Sequence, residues 1–336
     1  MKYIQFIGTQ RSGSNLLRVM LNQVPAISAP HPPHILRTFF PLLKHYEDIT
    51  VERNFFTLVN DVCNWVNLNP VPWEIQLDPI QVAEKCKTRS LVEIFRVVYE
   101  LKAQSDNANY WCCKSMECIY YVDEIEAAGL KPFYIYIYRD GRDVALSYKK
   151  AIVGPKHIFH LATKWKKEQE LSIALLKSLS AERYVVVKYE ELITDTNKVM
   201  HEICAKLNIT FTKEIFDYFH AHESQMTASS GAMWENLTKP IMHNNFNKFK
   251  SELSEEEIYL FESIAGETLA NLNYETVHWP NTNGKFAKEE LEKFDLENER
   301  LKRTVLENAD KVEIEHRIPQ ENLLKQIKEG LSIQHE

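Results

Sequence analysis

Residues 3–21 read YIQFIGTQRSGSNLLRVML: a short apolar strand, a loop of glycine, serine and arginine, and an amphipathic helix in direct succession. That order constrains the fold, because a buried strand that turns straight into a helix packs the helix back over its own sheet. Backbone N–H groups from Gly8 to Asn15 then point into one concavity, where the positive end of the helix dipole favours an anion. Gly8 and Gly13 have the spacing of the Walker A loop, GxxxxGK[ST]. Ser14, however, stands where a lysine would reach the β/γ-phosphates, and Asn15 stands where a hydroxyl would hold Mg²⁺. The loop predicts a phosphate site not equipped for nucleoside-triphosphate chemistry; taken alone, it also fits an ordinary strand–turn–helix corner.

A second segment, FYIYIYRDGRDVALSY (133–148), repeats the arrangement. Phe133–Tyr138 is aromatic and β-branched throughout, the composition of a strand buried on both faces of a parallel sheet. The run Arg139-Asp140-Gly141-Arg142-Asp143 then opens another helix, with Asp143 as the expected N-cap. Arg139 and Ser147 fall at the strand end and on the second helical turn. Both could reach one phosphate, the arginine through its planar fork and the serine through its hydroxyl. The other reading is a solvated turn of exposed Arg–Asp pairs, each worth about 0–1 kcal/mol.

The two segments resemble those of the sulfotransferases that use 3′-phosphoadenosine 5′-phosphosulfate (PAPS), and most closely the bacterial and tyrosylprotein branch. There the first loop reads like PRSGTTLL and the second like RDPRDVALS; here they are QRSGSNLL (10–17) and RDGRDVALS (139–147). Four further stretches follow in family order: WCCKSM (111–116), KYEELITDTNKVMHEICAKLNI (188–209), KPIMHNNFNKFKSEL (239–253) and LSEEEIYLFESIAGETLANLNY (253–274). The resemblance covers residues 1–279. It implies a P-loop-type, three-layer α/β fold with a central, mainly parallel sheet flanked by helices. It also implies transfer of a sulfuryl group from PAPS to a hydroxyl or amine, leaving adenosine 3′,5′-bisphosphate, with no metal. By the same resemblance, Arg11 and Lys114 would act on the leaving phosphate, and Ser12, Gly13, Ser14 and Asn15 would cradle it. Arg139, Ser147 and Lys248 would hold the 3′-phosphate, and adenine would lie against Tyr189.

The acceptor's proton needs a base, and here the chain departs from the family. Met116 stands where the cytosolic branch has a histidine, and SAPHPPHILR stands where the tyrosylprotein branch has a glutamate. His31 falls nearest that acid and is the first candidate, since a histidine of near-neutral pKa is a competent base. His34 and Glu117 come next. Two other classes stay open: a P-loop nucleotide or small-molecule kinase, against which the missing GK[ST] counts directly, and a non-catalytic nucleotide-binding protein. The acceptor, whether small molecule, carbohydrate or peptide, has no class-specific motif.

Organisation agrees with one large α/β unit. The expected strands are Tyr3–Ile7, Tyr110–Lys114, Phe133–Tyr138 and Tyr184–Lys188. A mostly helical insertion spans about 22–109, and a helix over 154–182 carries Trp165 on its apolar face. Phe39, Phe40, Trp65 and Trp73 fit either core or an apolar acceptor wall. A net charge of −7 excludes bulk nucleic-acid binding, so the basic loops are local anion sites. Apolar runs are too short to span a bilayer, and the start reads directly into a strand with no signal peptide. The six cysteines lack zinc spacing, and adjacent Cys112 and Cys113 on a strand face opposite ways. These features predict reduced thiols in a cytoplasmic protein.

Residues 280–336 form a charge-rich helical extension. Ala287, Leu291, Phe294, Asn298, Leu301, Val305, Asn308 and Val312 follow alternating steps of four and three. Two readings fit: one amphipathic helix packed on its own domain, or a coiled-coil seam joining a homodimer. Pro319 is expected to end this helix, with a short helix after it.

Overall fold

The computed structural model describes residues 1–333. Its sheet has five parallel strands in the order β2-β3-β1-β4-β5. These are β1 (Lys2–Ile7), β2 (Ile27–Ser28), β3 (Tyr110–Cys113), β4 (Phe133–Tyr138) and β5 (Tyr184–Lys188). Four match the expected strands to within a residue; β3 stops at Cys113, so Lys114 lies just past its end. β2 was not anticipated, because two residues paired with Tyr110 and Trp111 carry no readable alternation.

Side chains alternate across the sheet as strand geometry requires. Ile4, Phe6, Cys112, Ile135, Ile137, Val185 and Val187 share one face with α1 (Ser14–Leu21). Tyr3, Trp111 and Cys113 pack on the other face, against α2 (Glu52–Asn67) and α3 (Leu91–Ser105) of the insertion. Ile7, Tyr134 and Tyr136 lie beside residues of α5 (Ile158–Ser178). Phe39, Trp65 and Trp73 belong to the core, and all six cysteines are free, with Cys112 and Cys113 in different clusters.

α4 (Gly141–Lys150) is capped by Asp140, not Asp143: the Asp140 carboxylate accepts the Arg142 N–H at 2.9 Å. Asp143 is committed elsewhere, accepting the N–H groups of Asn247 and Phe249 at 2.7 and 3.0 Å. The helix therefore begins three residues earlier than expected. Trp165 is fully buried on α5, and its indole N–H donates to the Arg139 carbonyl at 3.2 Å.

The extension packs on the chain's own body. Its first helix, Lys288–Glu307, lies against α5: Asn298 Oδ1 accepts the N–H groups of Lys156 and His157 at 2.8 and 3.2 Å, and Phe294 stacks on His157. This helix ends well before Pro319. A short helix, Lys311–Glu315, follows under an Asp310 cap. Pro319 then opens the last helix, Ile318–Ile333, rather than closing one, as suits a residue whose missing N–H has no partner in a first turn. No described helix is long and apolar enough to cross a membrane.

Gly8 ends β1 with φ at +113°, and a Cβ there would sit 2.2 Å from the Ile137 carbonyl oxygen. Backbone cannot yield as a side chain would. Gly8→Ala should cost about 2–4 kcal/mol, read as a lower urea midpoint with unchanged slope.

Candidate functional site

β1 has β3 on one side and β4 on the other, so the strand ends diverge around it and leave a crevice, the usual ligand position in an open α/β sheet. A cleft of about 920 Å³ opens there. Arg11, Gly13, Ser14 and Asn15 line it from the first loop, and Arg139, Ser147, Tyr189 and Lys248 line it from the second side. Lys114, His31 and His34 line it as well. Ser12 does not; it is buried beneath the loop, and its hydroxyl has no hydrogen-bond partner.

The loop's shape is held from outside. Arg11 has φ at +72° and Gly13 at +85°, so both lie in the left-handed region. A Cβ on Gly13 would come within 2.3 Å of the Tyr189 ring, so only glycine lets the loop rest there. Tyr189 opens the short helix Tyr189–Thr194 after β5, and its hydroxyl accepts from Asn245 Nδ2 at 2.8 Å. The Arg139 guanidinium lies over that ring, 4.5 Å from its centroid. Gly13 and Arg139 thus touch the same tyrosine. The two loops form one site.

Two arginines run along the floor. Arg11 donates to Ser147 Oγ at 3.0 Å and to the Met233 carbonyl at 3.3 Å. Arg139 donates to the Asn245 carbonyl at 2.8 Å, lies 3.5 Å from Asp143, and has a buried Nε–H with no partner. Lys248 is exposed at the rim, placed by Asp143, which holds the N–H groups on either side of it. Sequence reasoning had cast Asp143 only as a cap and had missed Asn245 and Met233, which reach the site only through tertiary packing.

The other end carries the titratable groups. Glu117 accepts from Gln10 Nε2 at 2.6 Å and from Arg37 at 3.3 Å, with His34 Nδ1 3.8 Å away. Burial pushes its pKa up, but His34, Arg37 and Lys164 outweigh that and bring it to about 2. His34 sits at φ +54° with Nδ1 2.7 Å from Ser115 Oγ, and burial, only partly opposed by Glu117, lowers it to about 4. His31 is buried with neither ring nitrogen partnered; burial, then Arg18 and Lys114, hold its pKa well below the usual value. Burial, then Arg18, bring Lys114 down to about 7. Arg37, within the same stretch as the two histidines, was legible but not singled out. Among the described residues, no group of three His, Cys, Asp or Glu is placed to hold a metal.

Lys114 gives a pH test. Its folded pKa lies below the unfolded value, so the unfolded chain binds the extra proton between about pH 7 and 10.5, and stability rises with pH across that window. Below pH 7 the full penalty remains. Lys114→Met should therefore stabilise the ligand-free protein at pH 7, by up to about 4 kcal/mol. The gain should fade toward pH 10, as read by urea titrations at both ends.

Comparison with known proteins agrees with this geometry. A model described as "Sulfotransferase family" matches residues 4–213. The sulfotransferase domain from the curacin biosynthetic pathway superposes with a TM-score of 0.55 at 20% identity, covering 82% of this chain and 99% of that one. The sulfotransferase domain from the Synechococcus PCC 7002 olefin synthase gives 0.52 at 19%, covering 79% and 94%. No curated protein matches the sequence. The family match covers more than half of the chain, including both loops that line the cleft, and on that ground the chain belongs to the sulfotransferase family.

Proposed function

We propose that the protein transfers a sulfuryl group from PAPS to a hydroxyl or amine acceptor. The carrying observation is that one cleft gathers Arg11, Lys114, Arg139 and Lys248 around a phosphate-type loop whose lysine and hydroxyl positions are Ser14 and Asn15. A terminal sulfate bears less charge than a γ-phosphate, so fixed cations and N–H groups can do most of what a triphosphate site asks of lysine and magnesium. The residues fit such a donor: the cleft is large, and Arg139 keeps a buried, unpartnered Nε–H beside it.

In this reading the S–O bond to the bridging oxygen breaks as the acceptor oxygen or nitrogen bonds to sulfur. Arg11 and Lys114 meet the charge growing on the leaving 5′-phosphate, while the N–H groups of Gly13, Ser14 and Asn15 cradle it. Arg139, Ser147 and Lys248 hold the 3′-phosphate. Tyr189, engaged by Gly13 and Arg139, sets the spacing between the phosphate sites, and adenine meets only what remains of its edge. His31 takes the acceptor proton: both its ring nitrogens are free, whereas His34 Nδ1 is tied to Ser115, and Glu117 has Oε1 tied to Gln10 and Arg37 with Oε2 3.8 Å from His34. The donor's anion, once bound, favours protonation of both Lys114 and His31.

Calorimetry with adenosine 3′,5′-bisphosphate against ATP plus Mg²⁺ tests the donor, and transfer of label from PAPS tests the reaction. Tighter binding of ATP plus Mg²⁺ would transfer the protein to the kinase class. Arg139→Ala should weaken adenosine 3′,5′-bisphosphate by about 1.5–3 kcal/mol while adenosine 5′-phosphate changes little; equal losses would remove Arg139 from the 3′-phosphate.

The base makes a separate prediction. His31→Ala should lower turnover about 10²–10⁴-fold. Because the free imidazole's pKa is depressed, the acidic limb of kcat/KM should lie below pH 6.5 and vanish in the variant. A folded variant with full activity and the same limb would turn attention to His34 and Glu117.

A further inference from the structure

The last helix returns to the cleft. Arg317, in the turn just before it, and Gln320, Glu321, Leu324 and Lys328 of the helix line the cleft, although they lie well beyond the residues matched by the family. Steps of three and four put these positions on one helix face. The neighbouring stripe, Leu323 and Ile327, packs into the core cluster that holds Trp65 and Phe39. Gln320 Nε2 also donates to the Trp65 carbonyl at 2.9 Å. The wall is therefore docked on α2. At about 1.5 Å per residue, residues 317 to 328 run some 16 Å along the cleft.

Arg317 stands at the reacting end of this wall. Its guanidinium lies 5.9 Å from the Trp234 ring, and Trp234 meets the His31 ring edge-on at 5.0 Å. One terminal nitrogen donates to Glu313 at 3.3 Å, while the Nε–H is buried with no partner. The fork has five N–H donors, so one bond to Glu313 leaves most of them unused. Leu42, Trp65, Pro70 and Leu324 give the same cleft apolar lining, beside the polar Gln320, Glu321 and Lys328. Arg37, another cation lining the cleft, is paired with Glu117 and mostly exposed.

We propose that Arg317 binds an oxyanion group, carboxylate or phosphate, on an acceptor whose apolar body lies against Leu42, Trp65, Pro70 and Leu324. A planar fork beside an apolar wall matches that combination. Arg317 then selects the acceptor and sets its distance from His31. The inference rests on the sulfotransferase reading above.

The test uses the full chain saturated with adenosine 3′,5′-bisphosphate and titrated with three phenols: 3-(4-hydroxyphenyl)propionate, (4-hydroxybenzyl)phosphonate and 3-(4-hydroxyphenyl)propionamide. At least one anion should bind about 10- to 100-fold more tightly than the neutral amide, and the better one identifies the anion. Arg317→Gln should abolish that margin while leaving amide and nucleotide affinities unchanged. Arg317→Lys, which keeps the charge but loses the fork, should retain part of it. A merely structural role for Arg317 would weaken all three phenols together. The proposal is overturned if the wild type binds neither anion better than the amide, if it binds none of the three, or if Arg317→Gln keeps the margin. Failure of the sulfotransferase reading would surface earlier, as failure of the wild type to bind the nucleotide.

Discussion

The guanidinium of Arg142 lies buried between Asp140 and Glu262, at 2.7 Å from each carboxylate, with its flat face 3.9 Å from the centre of the Phe249 ring. Glu262 also accepts the N–H groups of Val277, His278 and Trp279. The turn after β4, the helix Glu255–Asn271, the turn beyond it and the 247–249 segment therefore meet on one cation. Losing one partner of such a buried pair typically costs 3–5 kcal/mol, because the other charge is stranded. Asp143, one residue along, fixes both N–H groups around Lys248 and faces Arg139. The donor side of the cleft is thus shaped by ionic contacts that touch no ligand. Arg139 can keep an unpartnered donor in the cleft because its neighbours are fully committed.

The reacting end is arranged by the opposite means. Lys114 is buried among Arg11 and Arg18 without an ion pair. The ligand-free protein pays for that in stability, as functional sites commonly do. The phosphosulfate donor proposed for this cleft would reverse the balance by supplying counter-charge. Glu117 offsets only part of the burial penalty, because its charge is shared: Oε1 accepts from Gln10 and Arg37, and Oε2 lies 3.8 Å from His34 Nδ1. In a chain of net charge −7, this end of the cleft sets Lys114 beside Arg11 and Arg18, while Glu117 is shared with Gln10, Arg37 and His34.

How much of this was legible follows from where the information lies. Four strands, and the placement of the two loops and Lys114 in one cleft, could be read because these residues sit at strand ends, within a few residues of a strong β pattern. β2 could not, since two residues carry no period. Asp140 displaced Asp143 as the cap because Asn247 and Phe249, a hundred residues on, claim the Asp143 carboxylate. The extension packs on its own domain, one of the two arrangements its pattern allowed, and only its end was misplaced. Its seam was real, but Phe294 and Asn298 spend it on α5, and Asn308 and Asp310 break the helix before the repeat is complete. That the last helix reaches the cleft depends on Leu323 and Ile327 finding the α2 cluster, a contact with no local signature.

Two site residues, Arg11 and His34, hold left-handed backbone that side-chained residues seldom adopt, at a cost of about 1–3 kcal/mol each. The surroundings over-determine both. At Arg11 the side chain is pinned by Ser147 and Met233, while its carbonyl faces Arg139 at 3.5 Å. At His34 the ring is pinned by Ser115, and the Pro33 carbonyl before it accepts from Trp65 Nε1 at 2.6 Å. Relaxing Arg11 to ordinary φ would turn the adjoining N–H groups out of the concavity, and relaxing His34 would swing its ring off Ser115 and away from Glu117. The strain therefore does for the backbone what the Arg142 pairs do for the second loop. It fixes donors before any ligand arrives, so that less ordering remains to be done when the anion binds.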